Sequence, residues 1–276
     1  MIELFKQDIR REDRHSSKGN QLKWNDGQFW YKADYMGYEG LSEYLVTQLL
    51  SKSSLKNDEF VLYEPEQIKY NNNVFNGSKS KDFLLDEAGE NAEGWQIITL
   101  ERLFKVFHGI SLYETIWKIG CAGERLEFLA DQTERITGLD GFGPYMAKLL
   151  TIDAMFLNED RHTHNIAVLM NENGDFKLCP VFDNGACLLS DTSMDYPMET
   201  DVYDMAGRAK AKTISYSFDE QLDAAEELYG RQIEFSFNGK DVDSILQKAD
   251  IYDGKIINRV GQIVRGQMRK YAYLFK

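Results

Sequence analysis

The sequence predicts an α+β fold with strands in front and helices behind. Three observations carry this. Up to about residue 95, "QLKW", "QFWYKAD" and "EFVLYEPEQIKY" concentrate aromatic and β-branched residues in partial alternation, as strands do. Beyond about Thr99 the pattern changes to amphipathic stretches of helical period. The chain of 276 residues is 43% hydrophobic and 13% aromatic, enough to build a core without metals or disulfides.

In chain order, Asp26-Gly27 between the first two strand-like pieces signals a hairpin. "LSEYLVTQLLSKS" reads as a helix with Leu41, Leu45 and Leu49 on one face and Ser42 at its N-cap. "NNNVFNGSKSK" and "DEAGENAEG" read as loops. The helical back opens with "LERLFKVF", "SLYETIWKI", "ERLEFLADQTERIT" and "PYMAKLLTIDAMFL". Two short strands, "IAVLM" and "FKLCPVF", flank the turn "NENGD". Ser190 to Ser217 shows no sustained period, and helices resume at "DEQLDAAEELYG", "DVDSILQKAD" and Lys255 to Lys276. The composition shift places the boundary between residues 1–98 and 99–276.

The net charge is −13, which argues against direct nucleic-acid binding, since phosphate contacts need a basic surface. The C-terminal stretch from Lys255 carries six Lys and Arg and no acid, and reads as a surface helix packed on an acidic body. The three cysteines are widely separated and form no CxxC, so a reducing, cytoplasmic setting is expected. The charged start "MIELFKQDIRREDRH" lacks an apolar signal core, and no membrane span of about 18 apolar residues occurs.

"NEDRHTHNIAVL" sets Asn, Asp, Arg and His between two apolar stretches. Polar groups are costly to bury unless each finds a partner, so the segment is either an ordinary turn or a site. Asp160 and Asn165 lie in it, and a hairpin over the two following strands would return Asp183 to its side. Asp and Asn oxygens are hard ligands, and Mg²⁺ needs few of them when phosphates and water supply the rest. The front offers the other half of a phosphate site. Ser16 to Lys23, "SSKGNQLK", is a polar loop whose amides can wrap phosphate oxygens. Lys32 sits among aromatics in a strand, and Glu43, or Glu39 if the helix starts early, is placed to pair with it. Taken singly, each of these residues is ordinary: turn acids, a surface lysine, a solvated glutamate. Their order along the chain gives them value. His162, His164 and Cys179 match no common zinc spacing.

These motifs resemble the HipA-like branch of the protein-kinase-like superfamily, whose catalytic loop, like that of the phosphatidylinositol kinases, is Asp-x-His-x-x-Asn. "DRHTHN" fits it residue for residue, and "FDNG" stands where the metal-binding Asp motif belongs, with Asn184 in place of Phe. "GNQLK" resembles the Gly-x-Gln-x-Lys phosphate loop, and "YKAD" and "SEY" the nucleotide-binding lysine and its helical glutamate. The likeness runs in order from about Ser16 to Gly185. HipA carries an extra N-terminal region for which this chain has no room, so the resemblance is to the compact bacterial members.

The resemblance implies a bilobal kinase fold with a β-rich N-lobe and a helical C-lobe, holding ATP and Mg²⁺. Asp160 would orient the acceptor hydroxyl or take its proton, and His162 would order the loop. Asn165 and Asp183 would hold Mg²⁺, and Lys32, anchored by Glu43, would neutralise phosphate oxygens. Gly19, Asn20, Gln21 and Lys23 would line the phosphate loop; no motif marks the adenine-contacting hinge, which the composition shift places near Trp95 to Leu100. Ser190 to Ser217 would be a mobile, activation-like segment, and Ser16 and Ser17 candidate autophosphorylation sites. The activity implied is Ser/Thr protein phosphorylation. A small-molecule or lipid-headgroup kinase stays open, as does an ATP-binding regulator acting through a protein partner such as a DNA-binding antitoxin. Lipid is disfavoured because an acidic protein is repelled by anionic membranes.

Overall fold

The structure, a computed structural model, describes residues 1–4 and 21–276. It is a mixed α+β fold whose described residues divide into two compact units. The first comprises Met1–Phe83, Phe182–Ala209 and Phe235–Lys276, and the second Leu84–Val181 and Lys210–Glu234. The units therefore interleave along the chain instead of following one another.

The first unit is built on a five-stranded sheet of order β1-β4-β5-β3-β2, from β1 (Ile2–Glu3), β2 (Lys23–Asn25), β3 (Phe29–Ala33), β4 (Tyr63–Tyr70) and β5 (Asn73–Lys81). The hairpin at Asp26-Gly27 forms as the sequence predicts. Gly27 takes φ +100°, and the Asp26 carboxylate accepts from the amides of Gln28 and Phe29. Its register sets Trp24 opposite Tyr31 and Lys23 opposite Lys32. Directly opposed residues share a face. One face therefore carries Trp24, Tyr31 and Ala33 into a small core with Leu4 and Ile68, and the other carries both lysines.

β5 corrects the sequence reading, which took "NNNVFNGSKSK" for a loop. It pairs antiparallel with β3 on one side and β4 on the other. Its small residues have a packing reason. Helix α1 (Glu39–Leu50) crosses it so closely that a Cβ on Gly40 would stand 2.4 Å from the Gly77 carbonyl carbon. A Cβ on Gly77 would itself stand 2.1 Å from the Lys32 carbonyl oxygen of β3, and Ser78 is fully buried.

α1 also starts earlier than the sequence suggests. The position before it is Tyr38, and no side chain at that position caps it. Instead Asp34 accepts from the Gly40 amide at 2.6 Å, supplying one of the partners that a helix N-terminus lacks. Ser42, expected as the cap, lies inside the helix. Leu41, Leu45 and Leu49 are fully buried as predicted, each stabilising the fold by roughly 1.5–3 kcal/mol. Helices α6 (Val202–Arg208), α8 (Gly239–Leu246) and α9 (Gly254–Lys270) complete the unit, α9 packing on both α6 and α8. α6, capped by Asp201, lies in a stretch where the sequence shows no period. α9 is not purely a surface helix, because Arg259 is only 4% exposed.

The second unit holds a three-stranded antiparallel sheet of order β6-β7-β8, from β6 (Gln96–Thr99), β7 (Ala167–Met170) and β8 (Phe176–Leu178). The β7–β8 hairpin over "NENGD" is as expected, and β6 is an addition. Around it stand α2 (Leu100–His108), α3 (Leu112–Ile116), α4 (Ala122–Thr137), α5 (Phe142–Phe156) and α7 (Phe218–Tyr229). α5 is buried along most of its length and packs on α4 and α7. Among the described residues no helix is long and apolar enough to cross a membrane.

Candidate functional site

In the first unit, β3, α1 and the "FDNG" segment bring three of the sequence-predicted residues into one cluster. Lys32 Nζ stands 2.6 Å from Glu43 Oε1 and 2.7 Å from Asp183 Oδ1, with the Tyr63 hydroxyl at 3.5 Å. The Lys32 and Glu43 side chains are 10% and 1% exposed, whereas that of Asp183 is 27% exposed and so meets solvent. Burial opposes the charge on Lys32, but the carboxylates of Asp183 and Glu43 overcome it and hold its pKa well above the usual lysine value. Lys32 is therefore a fixed cation. Burial raises the Glu43 carboxyl, against the pull of Lys32 and of the Asn184 amide, which donates to Glu43 Oε2 at 2.8 Å.

Asp183 adopts φ +59°, a left-handed conformation disfavoured for a residue with a side chain. Such outliers persist where the surroundings over-determine them, and they cluster at functional sites. Glu39, the other candidate partner for Lys32, does something else: its carboxylate accepts from the amides of Tyr35, Met36 and Gly37.

Lys23, in β2, lies directly across from Lys32 on the same face of the sheet. Gln21 precedes it, half-buried. Gly19 and Asn20, and with them Ser16 and Ser17, lie outside the described residues.

In the second unit, the sequence "NEDRHTHN" forms a loop fixed by several side-chain hydrogen bonds and a buried ion pair. α5 ends on Leu157 in the left-handed conformation, which turns the chain into the loop. Asp160 and Asn165 are hydrogen-bonded: Asn165 Nδ2 donates to the Asp160 backbone oxygen at 2.8 Å and to its carboxylate at 3.2 Å. That bond orients the amide, leaving the Asn165 carbonyl oxygen, a hard ligand, on the opposite side. His162 Nε2 is 3.6 Å from Asp160 Oδ1, and His162 Nδ1 accepts from the His164 amide at 3.3 Å. Burial lowers the His162 pKa, with Asp160 pulling the other way, so the ring is neutral near pH 7 and carries its proton on Nε2.

Sequence reasoning missed the groups that fix this loop. Arg161 is 1% exposed and pairs with the fully buried Asp153 of α5, Nε to Oδ1 at 3.2 Å. Its Nη1 donates to the Asn165 backbone carbonyl at 3.2 Å, and Thr213 Oγ1 donates to the Arg161 backbone carbonyl. One guanidinium thus ties both ends of the loop to the core helix. Burial pushes Asp153 up to about 6, although Arg161 works against the shift. Glu101, at the start of α2, adds a second anchor. It accepts from Thr163 Oγ1 at 3.0 Å and from the Tyr113 amide at 2.9 Å. An arginine between apolar stretches, eight residues after an aspartate on a buried helix face, was the available signal.

Among the described residues no cluster of three or more His, Cys, Asp and Glu side chains is placed to hold a metal by itself. An ion supplied with a nucleotide has a different requirement. Mg²⁺ bound to phosphates takes one or two protein oxygens, and in the first unit the Asp183 carboxylate, which meets solvent, is a donor of that type.

Ser190 to Ser217, expected as a mobile, activation-like segment, carries α6 and several buried side chains, including Tyr196, Ile214 and Thr213. Arg259 donates to the carbonyls of Tyr196, Pro197 and Met198.

No protein-family model matches the chain, and no curated protein does. Among solved structures, the crystal structure of the Helicobacter pylori proinflammatory kinase CtkA is similar, with a TM-score of 0.62 at 15% sequence identity over 98% of this chain and 94% of that one. The fold of this chain is kinase-like.

Proposed function

We propose that the protein is an ATP- and Mg²⁺-dependent phosphotransferase of HipA-like type, acting on Ser or Thr hydroxyls of proteins and on itself. The observation that carries the reading is the buried Lys32 between Glu43 and Asp183. A permanently charged lysine, held by one carboxylate and facing a second that reaches solvent, suits a site for nucleotide phosphate and its metal. In this reading Lys32 binds phosphate oxygens and Glu43 keeps it aimed. Lys23, Gln21, Gly19 and Asn20 add to phosphate binding. Asp183 and Asn165 hold Mg²⁺, which neutralises charge on the phosphates. Asp160 orients the acceptor hydroxyl, and His162 steadies the loop.

Such transfer depends on positioning and electrostatics, and the anchoring of Arg161 and Glu101 supports that role for the loop. The acidic chain favours a protein acceptor over an anionic lipid. Incubation with Mg²⁺ and γ-labelled ATP tests the reading. Label should appear on protein, vanish in Asp160→Asn with nucleotide binding retained, and vanish in Asp183→Asn with Mg²⁺-dependent nucleotide binding weakened. Full activity in both variants would end it.

A further inference from the structure

The segment after Asp183 is bent into conformations its residues resist. Asp183, Leu188 and Leu189 all have left-handed backbones, with φ of 59°, 58° and 57°. Both leucines are fully buried. In that conformation the Cβ of an L-residue crowds the following carbonyl oxygen, so something must hold it there.

What holds it is the beginning of α1. Tyr38 is fully buried, and its hydroxyl lies 2.7 Å from the Leu188 carbonyl oxygen and 2.9 Å from that of Leu189. It has one proton to donate, which the two carbonyls of the left-handed pair share. The Tyr38 amide donates to the Ser190 carbonyl at 3.3 Å. One turn on, Ser42 Oγ donates to the Cys187 carbonyl at 3.0 Å, and Glu43 accepts from the Asn184 amide. Tyr38, just ahead of α1, and Ser42 and Glu43 within it thus hold the segment at 184, 187, 188, 189 and 190. The approach is close: a Cβ on Gly37 would stand 2.0 Å from the Ser190 oxygen. Arg259 braces the arrangement from α9. Its guanidinium is close enough to Tyr38 to draw down the hydroxyl's pKa, which burial raises to about 12.

We propose that Tyr38 and Ser42 are positioning residues for Asp183, fixing through carbonyl contacts the strained turn that aims its carboxylate. The inference rests on Asp183 being the metal-binding carboxylate. It makes α1 a template with two products, the aim of Lys32 through Glu43 and the aim of Asp183 through Tyr38 and Ser42.

The test uses the full chain with Tyr38→Phe, Ser42→Ala and a control, Tyr44→Phe. Tyr44 lies on the same helix, and its hydroxyl donates to the Ile245 carbonyl at 3.3 Å, away from the segment. Two readouts are taken: amide hydrogen exchange of residues 184–190, and the Mg²⁺ concentration giving half-maximal transfer. Tyr38→Phe and Ser42→Ala should speed the exchange and raise the Mg²⁺ requirement about 3- to 10-fold, the worth of one hydrogen bond. Nucleotide affinity without metal should stay unchanged. Tyr44→Phe should move neither readout. Wild-type exchange in Tyr38→Phe, or equal effects in Tyr44→Phe, would overturn the proposal. If the wild type transfers no phosphate, the functional reading falls, while the exchange measurement still decides whether Tyr38 holds the turn.

Discussion

Lys32 and Asp183 are 151 residues apart in the sequence and 2.7 Å apart in the fold. Lys32 reaches Asp183 from the middle of a strand, with its other side held by Glu43 at 2.6 Å. A lysine between two carboxylates cannot be replaced quietly. Lys32→Met should leave Glu43 buried without its cation, destabilise the protein by about 3–5 kcal/mol and lower transfer by at least about 100-fold. Glu43→Gln keeps the shape and one acceptor, so its loss should be about tenfold and mainly in turnover. Steady-state kinetics beside thermal unfolding separates the two.

The close crossing of α1 over β5 gives a second prediction. Gly40→Ala would drive a Cβ to 2.4 Å from the Gly77 carbonyl carbon, and that neighbour is backbone, which cannot rotate away. The overpacking cost of about 1–3 kcal/mol should lower the melting temperature by about 3–10 °C. Activity should fall further than stability does, because lifting α1 also lifts Glu43 from Lys32.

Asp34 makes stability depend on pH. Burial pushes its carboxyl up to about 7, with the Gly40 amide bond working against the shift. A carboxyl whose pKa is raised in the folded state binds its proton more tightly there than in the unfolded chain. Its contribution to stability is fully present below the unfolded value of 3.8 and is lost as pH rises through about 7. At this site the protein should therefore melt higher at pH 6 than at pH 8. Asp34→Asn keeps an acceptor for the Gly40 amide and should flatten that difference. An unchanged pH dependence in the variant would assign it elsewhere.

Arg161 is the anchor of the second unit's loop. Arg161→Met should strand Asp153 in the core and cost about 3–5 kcal/mol, since breaking a buried pair leaves an uncompensated charge. It also frees the Asn165 backbone carbonyl and with it the end of the loop, so transfer should fall in the fraction that stays folded. Thermal unfolding with active-site titration checks both.

Much of this was legible in the sequence where side-chain chemistry repeats a local rule. Asp26-Gly27 specified its hairpin, the leucines of α1 their buried face, and "NENGD" the turn between β7 and β8. Legibility failed where tertiary packing chose the residues. β5 reads as a loop because it is rich in Gly, Ser and Asn, and its Gly77 answers the close approach of the β3 backbone and of Gly40 on α1, which leave no local pattern; strand propensity reflects a half-buried surface more than the backbone itself. Ser42 looks like a cap, yet it serves the Cys187 carbonyl, and Asp34 supplies the cap from outside the helix. Arg259 sits in a basic run that reads as solvated, and its carbonyl partners, sixty or so positions away, leave no local pattern. Asp183 and Asn184 showed their residue types but not the left-handed backbone at Asp183, because an Asp-Asn pair is compatible with many turns.

The central claim is that these residues transfer phosphate from ATP. The most direct measurement is incubation of the purified protein with Mg²⁺ and γ-labelled ATP, with and without a protein acceptor, beside Asp160→Asn. Label on protein that disappears in the variant is the predicted result. ATP bound equally by both proteins with label on neither protein nor acceptor would contradict it.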